Sequence, residues 1–184
     1  MGPCRSGAVA VASDETGRRR DGQRAKVYDA EHLVRGVFDR AEEFGHRTVD
    51  VYGSQLTLPV ERRFGSVESV QSYVDKVLAL NWVRAQWERA ALPVRVRARA
   101  GGSAAHYEPA AGVLAVPLHT GATAWALREL VVLHELAHHL ADDAEAAHGP
   151  EFCSRYIELV DGVIGPEAAL LIRATFAGCG VVVG

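Results

Sequence analysis

A long apolar segment in the C-terminal half of the chain constrains the fold more than any other feature. It extends from Thr120 or Thr123, either of which is a suitable helix cap, to about Ala141. Its apolar side chains recur on nearly every side of the helix that this spacing predicts; they are Leu127, Leu130, Val131, Leu133, Leu136 and Leu140. A helix that is apolar almost all round has to be covered on every face. We therefore predict that this helix is buried at the centre of the domain.

The same segment carries His134, Glu135 and His138 in the pattern HExxH. Residues four positions apart lie one turn apart on the same helix face, so both imidazoles can reach one ion. Glu135 lies about 100° round the helix, beside such an ion, where a metal-bound water needs a general base. Polar side chains inside a buried helix also need partners, and a metal ion supplies them. The motif predicts a metal site with His134 and His138 as ligands and Glu135 as the catalytic base.

A catalytic zinc site has three protein ligands and one open position, so a third ligand has to be found. The metzincin pattern is excluded, because alanines stand where its glycine and third histidine would be. His148 follows in the sequence HGPEF, where Gly149 permits a tight turn and Pro150 suits the first turn of a helix. Glu158, on that same predicted helix, is the alternative third ligand. The sequence favours His148 and leaves Glu158 open.

The rest of the chain predicts a single α+β domain at residues 27–184, preceded by a leader. Residues 1–26 are small, polar and rich in arginine, and they are predicted to be disordered. Further helices are predicted at about 29–44, from the cap Ser66 to about 89, at 150–160 and at 166–178. Strands are predicted within 48–58 and at 93–99, 104–108 and 113–118.

The predicted strands form a small, mostly antiparallel sheet that packs on the motif helix. The last two strands flank Pro-Ala-Ala-Gly, which is a good hairpin connection. Because Pro117 cannot donate to a strand ladder, the strand at 113–118 is predicted to lie at the edge of the sheet. An edge strand beside a metal site could receive an extended peptide as an additional strand.

Charge and cysteine content limit the function classes. The net charge is −3, which argues against nucleic-acid or membrane binding driven by charge alone. The three cysteines, Cys4, Cys153 and Cys179, are far apart and form no CxxC motif. This usage indicates neither a zinc ribbon nor a disulfide framework, and a reducing cytoplasm fits it best.

HExxH followed after a short loop by HGPEF resembles the SprT-like proteases, and more closely a group of small bacterial HExxH metallohydrolases. The resemblance covers about residues 113–152. It implies a minimal zincin core, in which a helix and a small sheet precede the motif helix, and a zinc ion held by His134, His138 and His148 with Glu135 as the base. Many SprT-like proteins add a cysteine zinc ribbon or another nucleic-acid module. This chain has none, so the resemblance does not extend to a nucleic-acid partner.

The function predicted from these residues is a zinc metallopeptidase that uses a Glu135-activated, zinc-bound water on extended peptides or proteins. Three alternatives fit the same motif. The chain could hydrolyse a non-peptide amide, or it could be a zinc-binding regulatory module without turnover. A structural zinc site is the third alternative, and it would need a fourth ligand such as Asp142 or Glu158.

Other polar residues near the motif are predicted to have structural roles. His139 lies off the metal face and is expected at the surface or behind the ligands. The acidic loop after the motif is expected to be solvated; it contains Asp142, Asp143 and Glu145. Three residues flank the predicted hairpin and are interpreted as structural; they are His106, Tyr107 and His119.

Overall fold

In a computed structural model of the chain, the described residues are 21–99, 104–117 and 127–184. Their helices are α1 (Arg24–Glu43), α2 (Val67–Leu78), α3 (Asn81–Gln86), α4 (Glu129–His139), α5 (Pro150–Val163) and α6 (Pro166–Gly178), with a short 3₁₀ helix at Glu88–Ala91. Their strands are β1 (Thr48–Val51), β2 (Ser54–Thr57), β3 (Arg95–Arg99), β4 (His106–Glu108) and β5 (Val113–Pro117). The predicted α+β class is confirmed. None of these helices has the length and apolar character needed to cross a membrane.

Helix α4 carries the HExxH motif and lies in the core, as predicted. Every residue of α4 except His138 is buried. The helix packs against α5, α2 and β4, which together cover its apolar sides. Its predicted caps, Thr120 and Thr123, lie outside the described residues. Burial on all sides fixes the position of α4 and therefore also the position of the motif side chains.

The three-stranded sheet has the order β3-β5-β4, and the predicted edge position of β5 is wrong. Strand β5 pairs in parallel with β3 and antiparallel with β4, and all its residues are buried. Pro117 is the last residue of β5, opposite Arg99, so its missing N–H affects only the end of the ladder. A continuous apolar run is typical of a strand covered on both faces. The sheet is therefore mixed, and β4 is the edge strand that packs on α4.

The opposite edge of this sheet, along β3, is covered by a side chain. The Nε2 of Gln71 donates to the carbonyl of Val94 over 2.9 Å, and its Oε1 accepts from the N–H of Val96 over 2.7 Å. A primary amide placed in this way satisfies one acceptor and one donor of the strand, as a neighbouring strand would. Helix α2 thus closes the β3 edge.

Helix α1 begins earlier than the sequence predicts. It starts at Arg24 instead of position 29, so the last residues of the predicted 1–26 leader are helical. Residues 1–20 of that leader lie outside the described residues. Just before the helix, the side-chain amide of Gln23 exchanges hydrogen bonds of 2.9 and 3.0 Å with the backbone of Val182. This contact with the C-terminal segment anchors the start of α1.

The other predicted elements agree with the structure apart from one break. Gly45 ends α1 with a φ of +63°, and Gly53, with a φ of +82°, closes the β1–β2 hairpin. Ser66 caps α2 by accepting a hydrogen bond from the N–H of Ser69. The helix predicted at 66–89 is interrupted at Leu80, whose backbone is extended. It therefore consists of α2, α3 and the 3₁₀ helix.

An ion network joins α1 to the start of α4, and it is buried at Arg128 and Glu61. The guanidinium of Arg128 is almost fully buried, and it pairs with Asp39 of α1 and with Glu61. Glu61 also accepts a hydrogen bond of 3.1 Å from the backbone N–H of Leu130. It thereby satisfies one of the free donors in the first turn of α4. Through these contacts α1 is held beside the motif helix.

Candidate metal centre

Three histidines converge at one point between α4, α1 and the start of α5. The Nε2 atoms of His134 and His138 are 3.1 Å apart. One ring nitrogen from each of His134, His138 and His148 lies within 4.8 Å of the other two. Within the described ranges, this is the one group of three or more His, Cys, Asp or Glu side chains with such geometry. The three residues are positioned to bind a metal ion.

The turn that delivers His148 leaves little room for a side chain at position 149. The N–H of Gly149 donates to the carbonyl of Ala146 over 3.0 Å, and α5 begins at Pro150 immediately afterwards. A Cβ atom at position 149 would lie only 3.1 Å from the Cβ of Ala146. The HGPEF sequence thus folds locally as predicted, with the histidine fixed just before the helix.

Two of the three imidazoles have a carboxylate on the nitrogen that faces away from the cluster. The Nδ1 of His134 lies 2.5 Å from Glu31, and the Nδ1 of His148 lies 2.8 Å from Asp21. A carboxylate at Nδ1 keeps the proton there and leaves the Nε2 lone pair for an ion. The Nε2 of His148 is buried and has no hydrogen-bond partner among the described residues. A bound cation would satisfy that nitrogen.

Burial and the adjacent carboxylate have opposite effects on the pKa of each histidine, and the net result differs between His134 and His148. For His134, burial lowers the pKa, but the adjacent Glu31 carboxylate outweighs it and the pKa is raised overall. For His148, burial outweighs the contact with Asp21 and the pKa is lowered. A neutral imidazole is the form that binds metals. Protonation therefore competes with metal binding more strongly at His134 than at His148.

Glu135 lies between the histidines and the edge strand. Its side chain is buried, and burial raises the pKa of the carboxyl group. The backbone N–H of Tyr107 in β4 donates a hydrogen bond to it. A carboxylate with a raised pKa is suited to take up and release a proton near neutral pH. The structure therefore places a buried carboxyl group with a raised pKa beside His134 of the histidine group.

His139 fixes the same strand from the next turn of α4. It lies off the ligand face, as predicted, but it is buried and not at the surface. Its Nδ1 is 2.8 Å from the hydroxyl of Tyr107. Because His139 follows Glu135 by four positions, both point toward β4. Tyr107 is consequently held to α4 by its main chain and by its side chain.

The remaining predicted candidates lie away from the cluster. Glu158, the alternative third ligand, accepts a hydrogen bond from Gln86 at 2.5 Å and is not in the metal-binding group. Asp142 is exposed, as expected for a solvated loop, while Glu145 in that loop pairs with Arg155. His106 contacts Glu108, and His119 lies outside the described residues.

Three residues of this centre were absent from the sequence predictions. Asp21 and Glu31 carry the carboxylates behind the histidines, and the ring of Tyr28 lies 5.6 Å from that of His134 and 5.2 Å from that of His148. For Glu31 a signal existed, since it lies on the same helix face as the buried Val27 and Val34. A charged residue in an apolar stripe needs a polar partner.

Glu31→Gln is expected to weaken metal binding about 10–100-fold, the range typical of a partner that orients a metal-bound histidine. The amide removes the negative charge that holds the proton on Nδ1 of His134. The measurement is competition with a chromophoric chelator of known affinity. Glu43→Gln is the matched control, because Glu43 lies on the same helix and is exposed. Equal affinities for the two variants would contradict a role for Glu31 at the centre.

The side chains of this centre define a coordination chemistry and leave several ions possible. Imidazole nitrogens suit zinc, copper, iron and nickel. Here three imidazole donors converge, and the buried carboxyl group of Glu135 lies beside them. Comparisons with protein-family models, with curated proteins and with solved structures each found no match.

Proposed function

We propose that the chain is a zinc-dependent hydrolase, specifically a peptidase of the SprT-like zincin type. The observation that carries this proposal is the position of Glu135, which lines the same cavity as the candidate ligand His134 and also contacts the backbone of Tyr107 in the edge strand β4. A base at that point lies next to an ion on one side and next to an added peptide strand on the other.

The donor set favours zinc over the other ions that imidazole can bind. Three protein ligands with room for one more are typical of catalytic zinc, whereas structural zinc is usually closed by four. Carboxylates at the outer nitrogens of two ligands, as seen at Glu31 and Asp21, are also typical of zinc sites. His134, His138 and His148 would hold the ion.

A bound zinc ion supplies Lewis acidity, which polarises a carbonyl group and makes a water molecule more acidic. The chain itself supplies the proton transfers. Glu135 would accept the proton of the attacking water at its carboxylate and deliver it to the departing amine. Its raised pKa fits both steps, since the group has to hold a proton and then release it. Tyr107 keeps the carboxylate oriented through its backbone N–H.

The sheet supports an extended peptide as the substrate. A peptide can join a sheet only at an edge, and the β3 edge is occupied by the amide of Gln71. The β4 edge lies beside α4 and the histidines. In an antiparallel pair, alternate residues direct their backbone groups outward, so Ala105 would share the outward direction of Tyr107. A peptide added there would pass Glu135 and would pair with the backbone of Ala105, because the N–H of Tyr107 already contacts Glu135.

The proposal is tested by metal removal and reconstitution with an unfolded protein substrate. The purified chain is expected to contain stoichiometric zinc and to cleave the substrate. Dialysis against a chelator should abolish cleavage, and added zinc should restore it. A chain that holds no zinc in zinc-replete buffer would refute the metal assignment. Zinc retention without cleavage of any peptide or protein would instead indicate a binding module or a hydrolase of other amides.

A further inference from the structure

A cavity of about 290 Å³ opens beside His134 and Glu135. Its far wall is formed by α1, which contributes Arg24 and Arg35, and its near wall includes Ala105 at the start of β4. This volume is at the small end of the range for ligand pockets. It suits one side chain or chain end of a substrate whose backbone lies along β4.

Two arginines line the α1 side of the cavity. The guanidinium of Arg24 lies over the ring of Tyr28, 5.4 Å from its centroid. Arg35 is 3.6 Å from Glu31, and the other oxygen of Glu31 already contacts His134. This cation–π contact holds the guanidinium of Arg24 at the wall of the cavity.

The charge of the cavity depends on the ion. Two arginines oppose two carboxylates, those of Glu31 and Glu135, so the lining alone is close to neutral. A divalent cation at the three histidines adds two positive charges at the same place. Both carboxylates already have partners. Glu31 contacts His134 and Arg35, and Glu135 contacts the N–H of Tyr107. The loaded site therefore attracts an anionic group into this cavity.

We infer that this cavity is a specificity subsite for a substrate carboxylate, which Arg24 and Arg35 bind next to the scissile bond. The carboxylate belongs to an Asp or Glu side chain or to the free carboxyl terminus of a peptide. Guanidinium groups bind carboxylates through paired, charge-assisted hydrogen bonds, which supports a preference for this group over its amide. The inference rests on the proposed zinc peptidase function and names its substrate class.

The test uses the zinc-loaded full chain and short peptides that carry a zinc-binding hydroxamate in place of the scissile bond. One pair compares Glu with Gln as the residue next to the hydroxamate. It is tested with that residue before the hydroxamate and again with it after the hydroxamate. A second pair ends in a free carboxylate or a carboxamide. Dissociation constants are measured by calorimetry, and zinc content is determined for every sample. The carboxylate member of at least one pair is expected to bind about tenfold tighter or more.

Arginine variants test whether the α1 side of the cavity distinguishes the carboxylate from the amide. Arg24→Gln should lower the carboxylate-to-amide preference toward one while zinc content stays the same. Arg35→Gln should lower it likewise, and it is measured at a zinc concentration that keeps the site loaded, because Arg35 also contacts Glu31. Lys26→Gln is the matched control, since it removes a positive charge from the same helix but its Nζ binds the carbonyl of Gly180, away from the cavity. This variant should keep the full preference.

Two results would overturn the inference, and they differ from a failure of the zinc site. Equal binding of both members of each pair would refute the subsite while leaving the zinc hydrolase intact. A preference that survives both arginine substitutions would place the carboxylate elsewhere. If the chain contains no zinc and binds no hydroxamate, the proposed function fails, and the subsite fails with it.

Discussion

Glu135→Gln is expected to lower the rate of peptide hydrolysis by about 10²–10⁴-fold, the usual contribution of a general base, with zinc content unchanged. Glutamine keeps the shape of the side chain and its place beside Tyr107, but it cannot accept the proton of the attacking water. The effect should fall on kcat more than on KM, because proton transfer occurs in the transition state. The measurement is steady-state cleavage of an unfolded protein or a fluorogenic peptide.

Controls separate loss of the base from loss of the fold. Glu43→Gln makes the same chemical change at an exposed site and should retain full activity. Circular dichroism and the melting temperature of Glu135→Gln should match those of the parent chain, and its zinc content should stay stoichiometric. If Glu135→Gln hydrolyses peptide at the parent rate, Glu135 is not the base, and the mechanism proposed here is wrong.

His148→Ala is expected to abolish stoichiometric zinc binding. The substitution removes one of three ligand nitrogens, so the loss of affinity should exceed the about 10–100-fold effect expected for an outer partner such as Glu31. Activity should disappear with the metal. Zinc content after gel filtration, determined by atomic absorption, gives the result directly.

Glu158→Ala provides the opposing comparison for the third ligand. Glu158 contacts Gln86 and lies outside the histidine group, so this variant should bind zinc like the parent chain. The reverse pattern, with zinc lost from Glu158→Ala and kept by His148→Ala, would show that the third ligand is the glutamate.

The sequence predicts the centre of this protein well because that information is local. HExxH fixes two ring nitrogens on one face of α4 through the helical repeat alone, and Gly149 with Pro150 marks the turn that places His148. Likewise, Pro166 predicts the start of helix α6, and the Pro-Ala-Ala-Gly connection predicts the hairpin of β4 and β5. Each of these signals lies within a few residues of the feature that it predicts.

The sequence predicts less where the structure depends on contacts between distant segments. Glu31 reaches His134 because long-range contacts, among them the pairing of Arg128 with Asp39, hold α1 beside α4, and no local pattern encodes that pairing. The prediction that β5 lies at the edge of the sheet was wrong for a similar reason. Pro117 indicated an edge strand, yet a proline at the end of a strand costs little when the neighbouring residues pair on both sides.

The amide of Gln71 has a consequence for how copies of this protein behave toward one another. Growth of a fibre by stacking sheets edge to edge requires two open edges on every molecule. On one side of this sheet, the strand hydrogen bonds at Val94 and Val96 are already made within the molecule, and Asp75 holds the amide in place at 2.9 Å. Addition through β4 therefore ends after one event. The edge proposed to bind a peptide can therefore remain accessible without making the protein prone to polymerise.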